Sequence, residues 1–167
     1  RANVVASRIA SALGITVIWD PAPAVDGVSE LSGLSTYLTP NQIEAEALAG
    51  IKINDIDSAM KACDIILTQY DSIPVITLGE KGVVYASREK RKHVPAMDTS
   101  VIDTVAAGDA FAGALAVAIA EGLKIDESVR FAVGYGALAV GKKGAQASMG
   151  SRRELDNFFK NQAASKT

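Results

Sequence analysis

The sequence is poor in the side chains that most often carry reactive chemistry. Its 167 residues include one cysteine, one histidine and one tryptophan, and aromatics make up only 5% of the whole. A lone Cys63 excludes an internal disulfide framework and suits a reducing cytosol. The single histidine, His93, lies in a charged run, so Cys63 reads as a small buried hydrophobe rather than a nucleophile. An excess of one charge sign is lacking too. Seventeen Lys and Arg stand against nineteen Asp and Glu, for a formal net charge of −2, which gives no broad basic field for nucleic acid. No apolar run reaches membrane-spanning length, and no charged-then-apolar-then-small signal opens these residues. No G-x-G-x-x-G follows a strand, which leaves a dinucleotide site without support. The run "GALAVGKK", Gly136 to Lys143, has P-loop spacing, but Lys143 stands at its end and no Ser or Thr hydroxyl follows for magnesium. It also closes a helix, where a P-loop should open one.

What is present fits one ordinary globular domain over residues 1–167: 49% of residues are hydrophobic and 22% charged, enough for a sizeable core. The first residue is Arg1, and the chain opens in mid-pattern. Val5, Ile9 and Leu13, at i, i+4 and i+8, make one helix face that ends at Gly14. The expectation is the back part of a longer chain. "ITVIWDPAPA" then reads as a buried strand stopped by a proline-rich turn. "STYLTPN" is a short strand running into a helix start at Asn41, and "NQIEAEALAGI" is helical. A second helix, "DIDSAMKACDIILTQY", leads to the strand "IPVITLG". The turn "GEKG" joins it to "VVYAS" as a hairpin. "REKRKHVPA" reads as a solvated edge arm. Helices follow at Asp103–Gly122, from about Glu127 to Val140, and after Ser151, where Ser151 and Glu154 form a capping-box pattern. This alternation predicts an α/β layered fold with a largely parallel sheet and one hairpin, its working surface at the carboxyl ends of the strands. The polar loops there are "DPAPA", "TPNQIE", "TLGEKG" and "DTVAAGD".

Three constellations carry candidate chemistry. Asn41 and Glu44 satisfy the N-cap and N3 positions of a helix, which needs no ligand; the functional alternative is a polar pair near a metal-bound triphosphate. Gly79 and Gly82 in "TLGEKG" are explained by a turn alone. Asp109 is harder to explain. It follows Ala106, Ala107 and Gly108 at the mouth of an almost wholly apolar helix, where a carboxylate is poorly solvated. The small residues leave amides free to face a phosphate, and a neighbouring carboxylate can accept the proton of an attacking hydroxyl. The plain alternative is an N-cap aspartate.

"DTVAAGDAF" resembles the D-T-x-[GA]-A-G-D signature of the ribokinase-like, or PfkB, carbohydrate kinases. "DPAPA", "TPNQIEAEALAGI", "TLGEKGV" and "KKGAQAS" follow the family's order and spacing, and the resemblance covers essentially all 167 residues. It implies a ribokinase-like layered fold and ATP-dependent phosphorylation of a sugar hydroxyl, D-ribose to ribose 5-phosphate before other acceptors. Asp109 would be the general base and touch the substrate. The amides of Ala106, Ala107, Gly108 and Asp109 would form an anion hole. Asn41, Thr77, Leu78, Gly79, Glu80, Lys81, Gly82, Gly108 and Val133 would line the ATP site. Glu44 would help hold Mg2+ through water. Asp103, Val105, Ala139, Lys142, Gly144 and Ser148 would surround a monovalent cation, usually K+, several of them through backbone carbonyls alone. Many family members have Gly where this chain has Ala106, and a polar residue where it has Val133. The family's first half, with its sugar-binding Gly-Gly segment and β-strand lid, has no counterpart in these residues. The implied partners are a sugar and ATP in the cytoplasm, without nucleic acid or membrane, and with a homodimer compatible with the full-length protein. Alternative readings are a PfkB kinase for another sugar, sugar acid or nucleoside, and a non-catalytic nucleotide-binding or interaction module.

Overall fold

Four short apolar runs and one charged run form the strands of a five-stranded sheet in which sequence neighbours lie side by side. The structure, a computed structural model, describes residues 2–22, 30 and 32–164. Its contacts divide into two compact units, Arg1–His93 and Val94–Thr167. In the first, helix α1 (Ala2–Ala12) precedes β1 (Ile18–Trp19), β2 (Tyr37–Leu38), α2 (Gln42–Ala49), α3 (Ile56–Tyr70), β3 (Ile73–Thr77) and β4 (Val83–Ala86). Strand β5 (Arg91–Val94) closes the series at the sheet edge. Strands β1, β2 and β3 run parallel, with Ile18 opposite Tyr37 and Tyr37 opposite Ile73. Strand β4 returns antiparallel to β3. The expected largely parallel sheet with one hairpin is therefore present, although β1 is shorter than the run "ITVIWDPAPA" suggested. Residues 23 and 24 of "DPAPA" lie outside the described residues.

The two-residue alternation of the strands sorts their side chains. Leu38, Ile76, Val84 and Ala86 share one core with Ala45 and Leu48 of α2 and with Ala59, Ala62, Cys63, Ile66 and Tyr70 of α3. Val75, Val83 and Tyr85 alternate with these and are buried as well. Strands buried on both faces read as near-continuous apolar runs, which is why "IPVITLG" and "VVYAS" were legible. Both helices of this core start with a side-chain cap. Asn41 and Glu44 form the box of α2, and Asp55 and Ser58 that of α3. Each such cap contributes about 1 kcal/mol.

Helix α1 ends as the sequence indicates, with Gly14 at φ +67°. Its apolar face does not find a core. Val5, Ile9 and Leu13 are 57%, 57% and 69% exposed, and nothing among the described residues covers them.

The second unit holds α4 (Ala107–Ala120), α5 (Ile125–Val140) and α6 (Arg152–Ala164). Helix α5 extends to Val140, so the P-loop-like run begins inside a helix, in agreement with its rejection. Phe111 and Leu115 of α4, Val129 and Val133 of α5 and Leu155 of α6 are buried. A Cβ on Gly134 would stand 2.5 Å from the Phe159 ring, so a larger residue there would push that ring of α6 aside. Among the described residues, no helix is long and apolar enough to cross a membrane.

Cys63 is fully buried in α3, and burial pushes its thiol up to about 12, with the Asp64 charge adding to the rise. At pH 8 the thiolate fraction is then on the order of one in ten thousand, and only the thiolate reacts. Cys63 should resist a chromogenic disulfide reagent in the native protein and react within minutes in denaturant. Fast native labelling would contradict its burial.

Candidate active site

The parallel register of β1 to β3 brings three loops to the same strand ends. Thr39 follows β2 and donates its amide to the Trp19 carbonyl at the end of β1, at 2.9 Å. Asn41 forms an isolated parallel bridge with Thr77 at the end of β3, and the Thr77 amide donates to the Pro40 carbonyl at 3.0 Å. Asn41 is thus held beside the first residue of the "TLGEKG" turn. Both groups were singled out for a nucleotide, and the sheet places them side by side.

The Asn41–Glu44 pair is a complete capping box. The Glu44 amide donates to Asn41 Oδ1 at 3.0 Å, and the Asn41 amide donates to Glu44 Oε2 at 2.8 Å. Glu44 is only 8% exposed. The helical role is therefore real, and it leaves Oε1 without a hydrogen bond among the described residues. In "TLGEKG", Gly79 and Gly82 take φ +59° and +89° around a 3-10 turn. The Leu78 amide closes the turn on the Gly82 carbonyl at 2.8 Å. Leu78 is buried beneath it, Glu80 is exposed, and the Lys81 ammonium donates to the Asn54 carbonyl at 3.1 Å. His93 makes its contact with the Lys81 carbonyl, so the histidine braces this turn.

In the second unit, the "DTVAAGD" stretch differs from expectation in two ways. Asp109 is exposed rather than poorly solvated. It is also not an N-cap. That position belongs to Ala106, and Asp109 is the third residue of α4. Ala106 adopts the left-handed conformation, φ 63° and ψ 12°, which costs an L-residue about 1–2 kcal/mol. The positive φ turns the chain into the helix without any side-chain cap. A helix leaves its first amides without intrahelical acceptors. Here the Ala107 amide donates to the Thr104 carbonyl at 3.2 Å, and those of Ala106, Gly108 and Asp109 have no protein acceptor among the described residues. A methyl on Gly108 would touch nothing within 4 Å. The Asp109 carboxylate likewise takes no hydrogen bond from a described residue. Unpaired amides, an open flank and a free carboxylate thus share one helix turn.

Asp103 ties this stretch to the "KKGAQAS" loop. Its Oδ1 accepts the Val105 amide at 3.0 Å, and its Oδ2 accepts the Gly144 amide at 2.9 Å. These two bonds hold its carboxyl below the usual carboxylate range. The amides of Ile102 and Asp103 both donate to the Val140 carbonyl, at 2.8 and 3.1 Å, and the Lys142 amide donates to the Ala139 carbonyl at 3.0 Å. Ser148 is no surface hydroxyl. It is fully buried and donates to the Ala145 carbonyl at 2.6 Å. Val105 is exposed, and Val133 lies largely buried in α5. The residues singled out for a monovalent cation lie on the stretch before α4, the end of α5 and the loop after it, and Asp103 joins the first to the last. Among the described residues, no group of three His, Cys, Asp or Glu side chains could hold a metal ion.

The profile of the pfkB family carbohydrate kinases matches residues 2–152. The chain is 38% identical over 154 residues to the ribokinase of Haemophilus influenzae, covering 92% of this chain and 50% of that protein. It is 35% identical over 159 residues to the ribokinase of Staphylococcus aureus, covering 93% and 51%. The solved ribokinase of Thermotoga maritima superposes with a TM-score of 0.81 at 38% identity, over 88% of this chain and 50% of that one. That of Arabidopsis thaliana, complexed with ribose and ATP, gives 0.83 at 27% identity, over 95% and 52%. The order of helices and strands and the parallel register of β1 to β3 are those of a ribokinase-like α/β fold. The chain belongs to the pfkB family of carbohydrate kinases. It spans about half the length of the curated relatives it matches.

The strain at Ala106 has a direct consequence. Glycine adopts positive φ without the Cβ clash, so Ala106→Gly should stabilise the folded state or leave it unchanged, with a gain of up to about 1 kcal/mol after glycine's larger entropy loss. Urea unfolding reads the difference. A loss of stability would mean that position 106 is not left-handed.

Proposed function

We propose that this chain carries the nucleotide site, anion hole and catalytic base of an ATP-dependent sugar kinase, with D-ribose as the acceptor phosphorylated to ribose 5-phosphate. The observation that carries this reading is the first turn of α4, where the unaccepted amides of Ala106, Gly108 and Asp109 stand beside the free Asp109 carboxylate. Phosphoryl transfer asks a protein mainly for positioning and charge stabilisation. The Asp109 carboxylate accepts the proton of the sugar hydroxyl as that oxygen attacks the γ-phosphorus, and the amides donate to the oxygens on which negative charge builds. The N-terminal end of α4 adds the favourable pole of its dipole. Asn41 and the Thr77–Gly82 turn would position the remaining phosphates and the ribose of the nucleotide, and Val133 would lie toward the base. The substrate and cofactor likenesses support this reading, since the family is one of carbohydrate kinases and one similar structure is a ribokinase with ribose and ATP.

Two ions fit the residues present. Mg2+ is commonly held by one or two carboxylates together with substrate phosphates. Glu44, buried and with one oxygen uncommitted, suits that supporting role. Magnesium would neutralise triphosphate charge. Asp103, Val105, Ala139, Lys142, Gly144 and Ser148 would surround K+, several through backbone carbonyls alone, and the ion would stiffen the two loops that Asp103 joins. The free, buried Cys63 accords with a cytoplasmic setting.

Asp109→Asn keeps the shape but cannot take up the proton. In the full-length protein it should lower kcat about 10²- to 10⁴-fold while ATP affinity stays near normal. Near-normal turnover would remove Asp109 from the mechanism.

For the cation, rates should be compared at constant ionic strength in potassium, sodium and lithium salts. Carbonyl-lined sites discriminate by cavity size and field strength, so potassium should give the highest rate. Asp103→Ala should lower the rate and flatten its response to potassium. Equal rates in all three salts would withdraw the cation assignment.

A further inference from the structure

The loop between α5 and α6, residues 141–151, is fastened at both ends by side-chain contacts. At its far end, Glu154 caps α6. Its Oε2 accepts the Ser151 amide at 2.7 Å and the Ser151 hydroxyl at 3.0 Å. The other oxygen, Oε1, accepts the Lys142 ammonium at 2.5 Å. One carboxylate therefore joins the first turn of α6 to the start of the loop. Two residues after Lys142, the Gly144 amide reaches Asp103, whose other oxygen holds the Val105 amide. Ala106, the left-handed residue that opens α4, comes next. A second fastening supports the first. The Tyr135 hydroxyl of α5 donates to the Gly150 carbonyl, and a Cβ on Gly150 would stand 2.5 Å from Leu138, so the chain there lies flat on α5.

We propose that the Glu154–Lys142 pair is a latch that holds the 141–151 loop in register, so that Gly144 can anchor Asp103 and Asp103 can fix the approach to the α4 amides. Glu154 is a positioning residue: it acts on the anion hole through Lys142, Gly144 and Asp103. The inference rests on the kinase reading for its catalytic consequence, but the latch itself is a property of the fold. The pair is partly exposed, which limits its strength and sets the scale of the expected effect.

The test separates cap from latch. Glu154→Gln retains an acceptor for the Ser151 amide, since Gln serves in a capping box, but removes the charge that holds Lys142. Lys142→Met removes the same interaction from the other side and leaves the cap intact. In the full-length protein, amide hydrogen exchange at Gly144 and Val105 should quicken about two- to fivefold in either variant, the scale of a partly exposed ion pair. The double variant should be no faster than either single one. Lys142→Arg, which keeps the charge, should restore slow exchange. kcat should fall by a similar factor with KM for ATP little changed. Unaltered exchange at Gly144 in both single variants would overturn the latch. Quickened exchange with unchanged kcat would overturn its link to the anion hole. A failed kinase reading would show separately, as no ATP-dependent sugar phosphorylation by the unaltered full-length protein.

Discussion

Two hydrogen bonds to one carboxylate organise the second unit. Asp103 accepts the amides of Val105 and Gly144, residues far apart in the chain. Without it, the hydrogen bonds that join the stretch before α4 to the end of α5, among the described residues, would be those to the carbonyl of Val140. A carboxylate is well suited to the task because it has acceptor capacity on two oxygens and no proton to place. Neutral amide donors on both sides keep it ionised and make each bond charge-assisted, stronger than a bond between neutral groups. The unaccepted amides of α4 lie just beyond this clamp.

The elements that were legible in the sequence are those with local chemistry. Asn41 with Glu44, and Ser151 with Glu154, announce their helices because a capping box is written in four residues. Gly79 and Gly82 announce a turn, since both take positive φ. The hairpin that follows is equally local. The pairing of Asn41 with Thr77 needed the parallel register of β2 and β3, which links segments with a whole helix pair between them. Only the general rule about strand ends pointed to it.

Two features of the structure lie beyond what residue type and spacing indicate. A cap was one of two open readings of Asp109, because aspartate favours that position. Backbone geometry decided otherwise, and an alanine with positive φ is a choice that residue statistics do not anticipate. The frequent glycine at this position in the family makes sense against that φ. The face of Val5, Ile9 and Leu13 has perfect helical spacing yet stands exposed. Periodicity establishes which side of a helix is apolar, but not what covers it. The site residues were gathered by resemblance, and geometry adds what residue type does not show: Ser148 is buried, Asp103 is a joint, and three amides find no acceptor among the described residues.

The capping box at α2 has a thermodynamic side. A glutamate on a surface samples many rotamers and loses that freedom whenever it must organise around a ligand. Glu44 has lost it already, because its Oε2 is tied to the Asn41 amide and the side chain is buried. The entropy of ordering a long flexible acid, on the order of 1–2 kcal/mol, falls on folding and not on the encounter with a charged ligand. On the proposed reading, a hydrated ion arriving at this carboxylate would meet a group whose direction is fixed in advance, and helix stability and readiness for a ligand would be a single property of one side chain.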